Sequence, residues 1–147
     1  MIHASVQVEP LDPVAAGADL AVPGAGAVAT FTGLVRADDG VERLDLEHYP
    51  GVTERALRTL AEEASGRWSL LAATIVHRVG AMAPGDPIVF VGAAAAHRAA
   101  ALEACSFMID RLKTDAPFWK RETVAGEARW VAARAGDEDA AARWREP

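Results

Sequence analysis

The residues best suited to chemistry lie in one run, Lys113-Thr-Asp-Ala-Pro117-Phe-Trp-Lys120-Arg-Glu122. Lys113 ends a pattern of helical period. Pro117 has no amide hydrogen and restricts the residue before it, so the run leaves the helix there and resumes as an extended segment led by Phe118 and Trp119. One lysine therefore stands at a helix terminus and the other at the mouth of a strand, with a stiff loop between them. Two ammonium groups drawn to one pocket disfavour each other's charge, and a lysine tuned in this way can serve as general acid, general base or anion anchor. The competing reading is two solvated lysines, with Lys113 well placed against a helix C-terminal dipole. Taken alone, the run favours that plainer reading, because ordinary surface charges mimic sites.

Two further basic residues, His97 and Arg98, open the strongest helical pattern in the chain. A helix start favours acids, since its free amides and dipole are positive. Basic groups there suit a bound anion, which the helix amides and an arginine would hold together. A solvated first turn accounts for them equally well. Cys105 is the only cysteine. It excludes an intrachain disulfide and a cysteine metal cluster, and its place in an apolar helical stripe makes it a small buried hydrophobe rather than a nucleophile.

The elements that must position these groups follow from periodicity. Ile2, Ala4, Val6 and Val8 alternate as in a half-buried strand, and residues 13–20 form a short helix. Residues 27–36 make a strand in which Gly33 marks a bulge or a close backbone approach. Asp38-Asp39-Gly40 signals a hairpin turn into a return strand from Val41 to Tyr49, which puts Phe31 and Arg36 on or near that hairpin. A helix follows, with Thr53 as N-cap, no capping box, and Gly66 at its end. Leu70–Val79 and Pro87–Ala95 pair as a second hairpin, the latter central and covered on both faces. His97–Leu112 is a helix burying Ala101, Leu102, Cys105, Met108, Ile109 and Leu112. Glu127–Arg134 is a last strand, and 137–144 a short polar helix in which Trp144 either docks a partner or covers the core edge. The order predicts an α+β domain with a largely antiparallel sheet and two main amphipathic helices.

With 147 residues, the chain reads as a single domain over 1–147 with a sizeable core. A net charge of −6 argues against general nucleic-acid binding. No apolar run approaches the ~20 residues of a membrane span, and the N-terminus lacks a signal-peptide pattern, so the expected location is cytoplasmic.

The motifs together resemble those of the MoaE family, the large, catalytic subunits of molybdopterin synthase. The resemblance rests on Phe31-Thr-Gly-Leu-Val-Arg36, Glu47-His-Tyr-Pro-Gly51, His77-Arg-Val-Gly80 with Pro84-Gly85, His97-Arg98, the Lys113–Glu122 run, and Trp130-Val131. It spans nearly the whole chain in the family's order, and the set is specific where no single motif is. It implies an α/β hammerhead-like fold and a homodimer that binds two ubiquitin-like small subunits as a heterotetramer. Each small subunit would insert a Gly-Gly tail ending in a thiocarboxylate, and two sulfurs would pass to cyclic pyranopterin monophosphate to make molybdopterin.

Carried onto this sequence, the resemblance makes Lys113 and Lys120 the catalytic lysines. Lys113 would lie beside the small subunit's tail, and Lys120 would act at the pterin. It makes Arg36, His97 and Arg98 the anion-binding group, Phe31 a pocket wall, and Arg134 the arginine lent by a neighbouring protomer. No metal and no cofactor of the chain's own are implied. The lone cysteine agrees, because sulfur would have to arrive on a partner. Val52 and Ile109 stand where the family often has methionine, and both swaps keep apolar bulk. Two other classes compete: a non-catalytic scaffold for a ubiquitin-like sulfur carrier, and a phosphate-ligand hydrolase or transferase that needs no protein partner.

Overall fold

The computed structural model describes residues 1–131 and 140–144. Among the described residues, two four-stranded sheets carry the fold. The first has the order β1-β4-β6-β2, from β1 (Ile2–Gln7), β4 (Ala72–Arg78), β6 (Pro87–Ala95) and β2 (Ala27–Leu34). The second has the order β5-β3-β7-β8, from β5 (Gly80–Met82), β3 (Val41–His48), β7 (Phe118–Val124) and β8 (Glu127–Val131). Every pairing is antiparallel except β1 with β4. The expected α+β class, antiparallel content and two main helices are all present, and the strands divide between two sheets.

The first sheet is buried on both faces. Helices α2 (Val52–Trp68) and α3 (Arg98–Asp115) cover one side, with α2 over β1 and β4 and α3 over β2 and β6. That interface joins Ile75, Val91 and Ala93 to Leu57, Ala61, Ala104, Phe107 and Met108. On the other side, Val76, Phe90 and Ala94 meet Leu11 and Leu20, which flank the short helix α1 (Pro13–Ala16). Apolar contact on both faces explains the nearly unbroken apolar sequence of β6.

Several local expectations are corrected. Asp38–Gly40 forms a 3-10 turn rather than a hairpin loop, and the strands it joins enter different sheets: β2 pairs with β6, while β3 pairs with β5 and β7. The Asp-Gly turn signal is local, whereas partner choice is decided by distant apolar faces. Helix α2 is capped by Gly51, whose N–H donates to the Glu54 carboxylate at 2.9 Å, and it runs past Gly66 to Trp68 before Ser69 turns left-handed at φ 51°. Helix α3 buries Phe107 fully and leaves Leu102 61% exposed, so its apolar stripe is rotated from the expected one. It extends through Lys113 to Asp115. The proline then holds Ala116 extended, at ψ 127°. Trp144 covers the core edge, with its ring edge-on to Trp68 and Phe107 and its Nε1–H donating to Asp110 at 2.6 Å.

Candidate active site

The site grows from a cross-strand row. Gly33 on β2 and His77 on β4 both face Val89 on β6 in register, so all three lie on the helix-covered side of the first sheet. The bulge expected at Gly33 is there, as a register shift between Gly33 and Leu34. A Cβ at Gly33 would meet Val89 Cγ1 at 2.8 Å and the Phe31 ring at 3.4 Å, so the missing side chain lets Phe31 lie close against the sheet. Because α3 returns antiparallel to β6, its C-terminal end reaches this same end of the sheet and brings Lys113 with it.

His77 is buried, at 5% exposure. Its Nδ1 lies 2.9 Å from the Arg78 carbonyl oxygen. A carbonyl only accepts, so Nδ1 carries the hydrogen and Nε2 holds the lone pair. Burial pushes this imidazole down to about 4; the Arg78 hydrogen bond opposes the shift, while Lys120, Lys113 and His48 add to it through their charge. The ring is therefore neutral at pH 7, and both lysines are close enough to act on it. Phe118 stacks on the same ring, with centroids 4.0 Å apart and planes at 28°. Phe118 pairs with His48 across the second sheet and Lys120 with Leu46, so Phe118 and Lys120 share one face of β7. His48 in turn lies 3.8 Å from Glu54 at the start of α2.

The loop between the lysines is tied down from α2. The Tyr49 N–H donates to the Thr53 hydroxyl at 2.9 Å, and that hydroxyl donates to the Pro117 carbonyl at 3.0 Å. Thr53 is thus no N-cap; it sits fully buried inside the first turn and joins two loops.

One end of the fold therefore gathers Phe31, Lys113 and Lys120. Arg36 follows buried Val35, which packs in the cluster that Phe118 touches. Its own side chain is exposed and lies 3.7 Å from Asp38, an ion pair weak enough to yield to a competing anion. His97 and Arg98 are not part of this gathering. They are exposed at the opposite end of α3, about 22 Å along the axis from Lys113 at 1.5 Å per residue. Arg134 lies outside the described residues. Sequence reasoning assigned no part in the site to His77, His48 or Phe118 and read Thr53 only as a helix cap; for His77 the available signal was a lone histidine inside an apolar strand. Among the described residues, no group of three or more His, Cys, Asp or Glu side chains could hold a metal ion. No helix among them is long and apolar enough to cross a membrane.

The family model described as MoaE protein matches residues 6–115. The chain belongs to the MoaE family. Among relatives of this MoaE chain, the molybdopterin synthase catalytic subunit of Cereibacter sphaeroides is 51% identical over 142 residues, covering 95% of this chain and 97% of the relative. The catalytic subunit of Escherichia coli is 55% identical, covering 81% of each. A solved structure, the molybdopterin biosynthesis MoaE protein of Burkholderia ambifaria, superposes with a TM-score of 0.84 at 47% identity and covers 98% of both chains.

Proposed function

We propose that this MoaE chain is the catalytic subunit of a molybdopterin synthase, with Lys113 and Lys120 at its reacting centre. The observation that carries the assignment of the site is the convergence of both lysines on His77 from a helix end and a separate sheet. The relatives' name, a catalytic subunit, implies a second subunit, and the lone buried cysteine gives that subunit its task. Burial pushes the Cys105 thiol up to about 11, so the chain has no accessible thiolate with which to carry sulfur itself. Sulfur comes as the C-terminal thiocarboxylate of a ubiquitin-like small subunit, and the chain needs no cofactor of its own.

The thiocarboxylate sulfur attacks a carbon of bound cyclic pyranopterin monophosphate. A lysine ammonium gives its proton to the departing oxygen or balances the charge that develops there. Water then attacks the acyl carbon, leaving the sulfur on the pterin and releasing the tail as a carboxylate. A second loaded small subunit repeats the step.

The substrate-binding set is split between the two ends of α3. Phe31 stands at the lysines' end of the fold and Arg36 follows Val35 in the cluster that Phe118 touches, whereas His97 and Arg98 stand about 22 Å from Lys113 along α3. A second copy of the chain reconciles this by lending its own basic groups, Arg134 included, across a homodimer. Residues 1–147 act as one domain, in the cytoplasm.

The test is product formation from cyclic pyranopterin monophosphate with loaded small subunit. Lys120→Ala is expected to lower turnover by about 10²-fold or more with small-subunit binding retained, within the usual worth of a positioned acid or base. Unchanged turnover would remove Lys120 from the reaction. No product from the unaltered chain, with the loaded partner bound, would leave only a scaffold. Lys120→Ala and Arg98→Ala chains, each impaired alone, are expected to regain activity when mixed, and failure to do so would refute the shared site.

A further inference from the structure

We propose that Thr53 and His77 are positioning residues that together clamp the Pro117–Phe118 bend and so set the placement of Lys113 against Lys120. The inference rests on the synthase reading for its kinetic readout and on geometry for its argument. The two lysines belong to different elements, and the chain between them turns at Ala116 and Pro117, where the helix has ended and β7 has not begun. The last hydrogen bond of α3, from the Ala116 N–H to the Leu112 carbonyl at 3.3 Å, reaches into that turn but leaves the Pro117 carbonyl and the Phe118 ring to other partners.

Two side chains from elsewhere grip adjacent residues of it. Thr53, fully buried, donates to the Pro117 carbonyl at 3.0 Å across 64 residues of sequence, and the Tyr49 N–H, donating to the Thr53 hydroxyl oxygen at 2.9 Å, holds that hydroxyl in place. From the other side, the His77 ring stacks on Phe118 at 4.0 Å. The Arg78 carbonyl fixes that ring's orientation, and Arg78 is itself held by the Val8 carbonyl at 3.2 Å and Asp86 at 3.4 Å. The clamp thus bears on the end of β4, an inner strand of the first sheet, on one side and on the first turn of α2 on the other. Lys120 follows Phe118 on the same face of β7, so a shift of the ring moves the lysine. An imidazole suits this place because it offers an aromatic face without adding a cation beside two ammonium groups.

Pairing of β7 with β3 and packing of α3 rest on other contacts than either grip, so the expected change is in lysine placement rather than in the fold. The experiment compares Thr53→Val, which keeps the shape and loses the hydroxyl, with Thr53→Ser, which keeps the hydroxyl. It also compares His77→Ala with His77→Phe, which keeps the stack. Two readouts are taken below the melting temperature of each variant: kcat and KM with loaded small subunit, and the relative rates of reductive methylation of Lys113 and Lys120 in the chain by itself, read by mass spectrometry.

Thr53→Val and His77→Ala are expected to lower kcat by about tenfold to a hundredfold, the scale of an ångström-level misplacement, with KM within about twofold. They are also expected to change the lysine labelling ratio. Thr53→Ser and His77→Phe should restore both. Wild-type kcat and labelling in Thr53→Val and His77→Ala would overturn the proposal, as would equal losses in the conservative and disruptive members of each pair. If His77→Ala does not fold, Phe118→Leu breaks the same stack while keeping apolar bulk, and wild-type kcat and labelling there overturn the proposal equally. Absence of product from the unaltered enzyme would count against the synthase reading, while the labelling ratio would still decide the clamp.

Discussion

Lowering the pH should destabilise the native chain through His77 before most carboxylates begin to titrate. The folded-state value is about 4 and the ordinary one about 6.5, so in the window between them the unfolded chain binds a proton that the native chain refuses. Stability is complete above pH 6.5 and falls as pH drops towards 4. A difference of about 2.5 units is worth at most about 3 kcal/mol, of which about 2 kcal/mol is lost by pH 5. At an m-value of about 2 kcal/mol per molar, this is a fall of about 1 M in the urea midpoint. Burial is the main cause, and Lys120, Lys113 and His48, which face the ring from β7, α3 and β3, add to it. The assay is urea unfolding between pH 7.5 and 4.5 for the unaltered chain and for His77→Phe, which keeps the stack on Phe118 and cannot titrate. Groups common to both proteins cancel in the difference, so between pH 7.5 and 5 the midpoint of the unaltered chain should fall by about 1 M relative to that of His77→Phe. Parallel pH profiles would show that the imidazole is not held neutral in the folded state and would refute the reasoning.

Two other outcomes follow from the same structure. Cys105 is buried, with its thiol raised to about 11, so thiol reagents at pH 8 should leave the native chain unlabelled and react stoichiometrically in denaturant; rapid native labelling would contradict its placement. Trp144→Ala removes a ring packed against Trp68 and Phe107 together with the hydrogen bond to Asp110, and should cost about 2–3 kcal/mol in thermal or urea melts, less than for a fully buried tryptophan. An unchanged melting temperature would show that this ring does not hold residues 140–144 against the helices.

Much of this protein was legible in its residues because much of its structure is local. Alternating apolar residues marked β1, continuous ones marked the doubly covered β6, and a helical stripe ending at a proline marked α3 and left Lys113 at its end. The Gly33 bulge was visible as a glycine inside a strand. The order of short motifs was enough to place the chain in its family and to single out both lysines. Tertiary structure decided what those lysines stand beside. The Asp-Gly turn gave no warning that β2 and β3 would part to different sheets, since pairing is settled by which distant faces bury together. Thr53 read as a helix cap because its neighbours are all that a local rule can weigh, yet its hydroxyl serves a carbonyl 64 residues away. His77 read as one more residue of an apolar strand, and only packing made it the neutral ring under Phe118 on which both lysines converge. A side chain's chemistry is written in its type, but its charge state and its neighbours come from burial and long-range contact, which no periodicity encodes.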